Sequence, residues 1–133
     1  MRFIDTHCHF DFPPFESDAD ASLARAAAAG IEKIIIPAVE ASRFNRVCEL
    51  AATHAPLYAA LGLHPIAIEQ HQEAHLDQLE MMLQQRPRKL VAIGEIGLDL
   101  YRDDPQFDKQ LRFLDAQLKL AKRYALPVIL HSR

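Results

Sequence analysis

The chain has 133 residues, about the usual size of one domain and enough to enclose a core. Half of its residues are apolar and 25% are charged, which excludes a disordered chain. A formal net charge of -3 excludes a basic face that coats nucleic acid, so any work on such a polymer must draw its positive charge from metal ions or a few placed Lys and Arg residues.

No leader-like apolar region opens the sequence, and no apolar stretch approaches the roughly 18 residues of a membrane helix, so a cytoplasmic chain with no membrane partner is expected. Cys8 and Cys48 offer neither a disulfide framework nor a Cys-x-x-Cys site and read as buried thiols.

In chain order, residues 3–10 read as strand one. Alternation puts His7 and His9 on one face and Cys8 on the other, and two parallel imidazoles on one stiff element make half of a metal site. A hydrogen-bonded histidine pair is the plain alternative. Pro13 and Pro14 make a loop, and Ser17 with Asp20 resembles a capping box for helix one, which ends at Gly30. Residues 31–39, with Ile34-Ile35-Ile36, read as a strand buried on both faces. Helix two spans 41–54, with Phe44, Val47, Cys48 and Ala51 at helical spacing. Strand three, 57–63, is terminated by His64-Pro65. Helix three, from 73 to about 86, carries Leu76, Leu79, Met82 and Leu83 on one face and is stopped by Pro87. Strand four, 89–98, helix four, 107–124, and strand five, 127–133, complete the chain.

Alternating strands and helices with crossovers longer than ten residues imply a parallel sheet. An open doubly wound sheet and part of a (β/α)8 barrel both fit. No glycine-rich phosphate loop follows strand one, which weighs against the dinucleotide form of the first.

Strands of such a sheet ought to be almost wholly apolar, so their polar residues are informative. These are Asp5, His7, His9, His64, Glu95, Asp99 and His131, all but Asp5 late in their strands, at the edge where α/β folds gather catalytic groups. An unpaired carboxylate such as Glu95 inside an apolar strand costs several kcal/mol or takes up a proton, and a metal cation is the most direct relief. An Arg or Lys from a neighbouring strand is the alternative to a metal. His64 reads as a substrate-side or structural group, and His131 alone could be an ordinary strand-end histidine. His54, His71 and His75 read as solvated surface residues, and the Leu, Phe and Ala stripes of the helices as core. Taken together, His7, His9, Glu95 and His131 suit Zn, Mn or a similar divalent ion, and Glu95 could bridge two of them.

Four motifs in register, Phe3-Ile4-Asp5-Thr6-His7-Cys8-His9, Gly62-Leu63-His64-Pro65, Gly94-Glu95-Ile96-Gly97-Leu98-Asp99 and Leu130-His131-Ser132-Arg133, resemble the TatD family of metal-dependent hydrolases in the amidohydrolase superfamily. Tracts 10–15 and 104–107 look close to its YjjV subgroup. The resemblance implies a TIM-type parallel (β/α) barrel and a centre of two divalent metal ions, Zn, Mn or Mg. It implies hydrolysis of phosphodiester bonds, in DNA or a small phosphodiester, by a metal-activated water. Carried over by residue, His7 and His9 bind the first metal, the catalytic Glu95 bridges both, and His131 binds the second. His64 and Arg133 lie near the substrate, with Arg133 suited to a phosphate oxygen, and Asp5 and Asp99 orient histidines or close the turn.

Such a barrel needs about 250 residues. The first five strands and four helices are present, so residues 1–133 are expected to be the N-terminal portion of a single barrel domain, truncated and poorly active, with the C-terminal half as its missing partner. A His after strand six and an Asp after strand eight would be absent, and strands one and five would be exposed edges. Hydrolysis of an amide or ester in a small metabolite, and a non-catalytic half-barrel interaction module, are the rival expectations.

Overall fold

A computed structural model describes residues 1–133. Five strands, β1 (Phe3–Asp5), β2 (Ile31–Pro37), β3 (Leu57–Leu61), β4 (Leu90–Leu98) and β5 (Val128–Ser132), alternate with α1 (Ala19–Ala28), α2 (Phe44–Thr53), α3 (Glu73–Gln85) and α4 (Phe107–Arg123). All neighbouring strands are parallel, in the order β1-β2-β3-β4-β5. When strand order follows sequence order, right-handed crossovers put every helix on the same face. That is the wall of a barrel, and it rules out the doubly wound sheet, in which strand order reverses. The molecule is a half-barrel with β1 and β5 at its edges.

The core lies between sheet and helices. Ile34, Ile36, Leu57, Leu61 and Ile93 meet Phe44, Val47 and Leu50 of α2, Leu79 and Leu83 of α3, and Phe113 and Leu120 of α4. Ile35, expected to be buried like its two neighbours, is only half-buried, since the helices cover one face of the sheet alone. On the edges Ile4 is 57% and Leu130 60% exposed.

Other local expectations shift. β1 ends at Asp5, so His7 and His9 lie in the loop beyond it. Ser17 does not cap α1: its hydroxyl donates to the Pro14 carbonyl at 3.4 Å, and α1 starts after Asp18 without a side-chain cap. The capping box of the chain is at α3, between Gln72 and His75. Residues 41–43 form a separate 3-10 turn before α2. Both cysteines are half-buried rather than enclosed.

Two features set where the strand ends fall. From Ile93 to Ile96 of β4 the partner β5 advances only from Val128 to Leu130, so β4 carries one extra residue at Gly94-Glu95. Such a bulge re-aims a side chain. Gly97 then pairs with His131, at φ +151, and a Cβ there would lie 1.8 Å from the His131 carbonyl oxygen. Only glycine lets β5 come this close.

Meanwhile α4 turns two glutamines into the core seven residues apart, Gln110 and Gln117, each 1% exposed. Gln110 Oε1 accepts from the Asp99 N–H at 2.8 Å and its Nε2 donates to the Asp99 carbonyl at 2.9 Å, which fastens the end of β4 to the helix. Gly97→Ala should cost about 1–3 kcal/mol or more by overpacking. Urea unfolding measures the loss, and an unchanged midpoint would show that β5 can back away from β4 freely.

Candidate metal centre

The polar residues singled out from the sequence meet at one end of the half-barrel. Beyond β1, Asp5 Oδ1 accepts from the His7 N–H at 3.1 Å, and the Cys8 N–H reaches the Ile35 carbonyl at 3.1 Å. The chain therefore stays beside β2 past its last ladder residue, and alternation still turns His7 and His9 the same way. Asp5 holds the backbone of His7, not its ring.

Glu95 is the centre, 2% exposed. Its Oε1 lies 2.8 Å from His7 Nε2 and 3.2 Å from His9 Nε2, and the two Nε2 atoms are 3.3 Å apart. No Arg or Lys pairs with it, so the simple ion-pair alternative fails. Glu95 Oε1 has no hydrogen-bond partner of acceptable geometry despite two nitrogens at contact distance. Donors crowded together without protons aligned between them are what a cation site offers when only its ligands are considered. Ligands of a tetrahedral ion at ~2.0–2.1 Å stand about 3.3 Å apart, so the triangle fits a divalent ion. Burial acts to raise the Glu95 carboxyl, but the close contacts of His64 and His9 hold it well below the usual carboxylate range. The same contact with Glu95 pushes the His9 ring up, against its own burial.

The other oxygen, Oε2, faces His131 Nδ1 at 3.0 Å and His64 Nε2 at 3.3 Å. His64, Glu95 and His131 form a second donor group sharing Glu95 with the first. His131 turns its Nε2 to Asp99 Oδ2 at 2.9 Å, and the Arg133 guanidinium takes both Asp99 oxygens, Nη2 to Oδ2 at 2.9 Å and Nε to Oδ1 at 3.1 Å. Asp99 is fully buried, and Arg133, aided by His131, holds its carboxyl down at about 2. Arg133 is thus engaged by Asp99, with half of its side chain still exposed beside Tyr101.

His71 was read as a surface residue and is not one. It is 2% exposed, its ring tilted against Phe113, and its Nε2 bonds the His64 carbonyl at 2.7 Å, because the 3-10 turn Pro65–Gln70 folds it back under the site. His54 and His75 are half-buried and bonded locally, His54 Nδ1 to Thr53 and His75 Nδ1 to the Gln72 N–H. Sequence reading also passed over Asp11, fully buried and paired with Arg43 at 3.1 Å. Arg43 lies over Phe12, whose ring edges onto His9 at 6.2 Å.

A family model described as TatD related DNase matches residues 4–133. The chain belongs to the TatD family. It is 66% identical to the uncharacterized metal-dependent hydrolase YjjV of Escherichia coli (strain K12), over 99% of this chain and 51% of that protein. The crystal structure of YjjV superposes with a TM-score of 0.98 over 99% of this chain and 51% of the other. A hydrolase TatD family protein from Entamoeba histolytica, 31% identical, superposes at a TM-score of 0.81 over the whole chain and 50% of its own. The 3'-5' ssDNA/RNA exonuclease TatD of Cronobacter turicensis is 32% identical over 90% of this chain and 44% of its own. The chain spans about half the length of the curated relatives it matches.

Glu95→Gln should weaken Zn²⁺ or Mn²⁺ binding by about 100-fold, read by titration calorimetry, because the amide removes the charge that the ion would meet. Equal affinity would remove Glu95 from the site. Asp99 titrates near 2 in the fold against an ordinary 3.8, so its stabilising contribution is complete above about pH 4 and lost as pH falls toward 2. Asp99→Asn should lower stability at neutral pH and flatten the acid limb between those values in a pH series of thermal melts.

Proposed function

We propose that this chain carries the metal-binding part of a divalent-metal hydrolase that cleaves phosphodiester bonds in nucleic acid, and that residues 1–133 form the N-terminal portion of a (β/α)8 barrel. The observation that carries the reading is the triangle of His7, His9 and Glu95 donor atoms, 2.8–3.3 Å apart, around a buried carboxylate oxygen without a hydrogen bond. His7 and His9 would hold one divalent ion, Zn, Mn or Mg. Glu95 would be shared between it and a second ion, and His131 would complete the chain's share of the second.

Divalent ions bound there would supply acidity to a water near neutral pH and positive charge against the phosphoryl oxygens. The chain's own residues supply the geometry. Glu95 fixes the spacing between the two positions. Asp99, accepting from His131 Nε2, leaves Nδ1 turned to Glu95 and keeps the ring from rotating. The exposed side of Arg133 offers N–H groups to a phosphate oxygen.

Nucleic acid is supported over a small phosphodiester by the DNase description of the family and the name of the Cronobacter relative. Exposed aromatic faces beside the site suit unpaired bases. Tyr101, 78% exposed, lies against Arg133, and Phe12 lies against His9. With a net charge of -3, the positive charge that meets the phosphates would come largely from the ions.

The test is hydrolysis of a single-stranded oligonucleotide, bis(p-nitrophenyl) phosphate and a cyclic amide, with Mn²⁺, Mg²⁺ or Zn²⁺ added singly. Phosphodiester cleavage that needs added metal, is stopped by chelation and falls about 100-fold or more in Glu95→Gln is the expected outcome. Turnover of the amide alone would overturn the reading in favour of a small-metabolite hydrolase.

A further inference from the structure

His64 is gripped on all sides but one. The residue before it, Leu63, is clamped by Gln117, whose Oε1 accepts from the Leu63 N–H at 2.7 Å while Nε2 donates to the Leu63 carbonyl at 3.3 Å and the Phe113 carbonyl at 3.0 Å. The His64 carbonyl accepts from His71 Nε2 at 2.7 Å. The His64 ring accepts at Nδ1 from the Ile66 N–H at 3.0 Å. A backbone N–H can only donate, so Nδ1 must present its lone pair and the ring proton belongs on Nε2. Nε2 is the atom 3.3 Å from Glu95 Oε2.

We propose that His71 and Gln117 are positioning residues that lock His64 as an N–H donor to Glu95 and thereby keep it from acting as a metal ligand. The proposal rests on reading the site as a metal centre. It decides between two roles that distance alone leaves open, since His64 stands with Glu95 and His131 in one donor group. A nitrogen that carries a proton has no lone pair for an ion, so the second ion would be left to Glu95 and His131.

His71 carries the mark of a residue kept for this purpose. Burial pushes its ring below the ordinary histidine value and so favours the neutral form, and with Nε2–H given to His64 its Nδ1 is buried without a partner. An orphaned buried acceptor costs stability that a Leu or Phe in the same place would not. Gln117 likewise spends a core position of α4 on backbone groups one residue from His64.

Long-range ¹H–¹⁵N spectra of the ¹⁵N-histidine-labelled chain read the tautomer of each ring, before and after Zn²⁺ is added. In the wild type His64 is expected to show a bare Nδ1 and a protonated Nε2, unchanged by zinc while His7 and His9 shift. His71→Gln, whose amide nitrogen reaches the place of Nε2, should keep that pattern. His71→Phe, which fills the volume without a donor, and Gln117→Leu should let His64 average between tautomers, with far-UV circular dichroism showing each variant folded. Should either variant fail to fold, the wild-type and His71→Gln spectra still decide. A His64 that carries its proton on Nδ1, or takes zinc at Nε2, overturns the proposal. A chain in which zinc moves no histidine overturns the metal-centre reading, while the tautomer and the two variants still judge the positioning roles.

Discussion

Everything at the site depends on one buried carboxylate that has no cationic side chain for company. Glu95 is enclosed by the strand ends, and four imidazoles, those of His7, His9, His64 and His131, face its two oxygens within 3.3 Å. A charge in that position needs compensation, and neutral rings supply it only in part. The arrangement is therefore expensive as a core and economical as half of a cation cage. It also fixes what surrounds it. The β4 bulge aims Glu95 inward, and Gly97 lets β5 approach closely enough to bring His131 to the same carboxylate.

Behind these residues lies a layer of buried amides. Gln110 and Gln117 lie two turns apart on one face of α4, and each behaves like an extra strand residue, giving and taking a hydrogen bond at the end of β4 or just past β3. The segments that carry His64 and Asp99 are thereby tied to a rigid helix and not left as free loops. Placement of a reacting group to within a fraction of an ångström calls for such support, and hydrogen bonds of fixed direction give it better than apolar packing, which tolerates sliding.

Much of this was legible from residues alone. The alternation of strands and helices, the parallel sheet, the pairing of His7 with His9 and the anomaly of Glu95 all follow from periodicity and from the cost of burying charge. The choice between a barrel wall and a doubly wound sheet did not, because crossover length is the same in both and only strand order separates them. Gln110 and Gln117 escaped notice since glutamine on a helix is usually solvated, though their spacing of seven among Phe113 and Leu120 was a usable signal. His71 escaped because the flanking Glu69, Gln70 and Gln72 look like a surface segment, while the turn Pro65–Gln70 that folds it inward depends on contacts with α4 distant in sequence. Strand one was overextended for a related reason: alternation outlasts the ladder, since Asp5 and Cys8 keep the chain in line after strand pairing has ceased.

The two sheet edges carry a further meaning. His7 and His9 follow β1, His131 lies within β5, and these are the strands whose outer backbone groups are unpaired. Anything that pairs along either edge would steady a strand that delivers ligands, and an ion that draws the ligands together would steady both edges. By thermodynamic linkage the two effects are equal: whatever factor edge pairing adds to the affinity for the ion, the ion returns to edge pairing. Closure of the sheet and occupancy of its centre are in this sense one equilibrium, written into where the histidines sit.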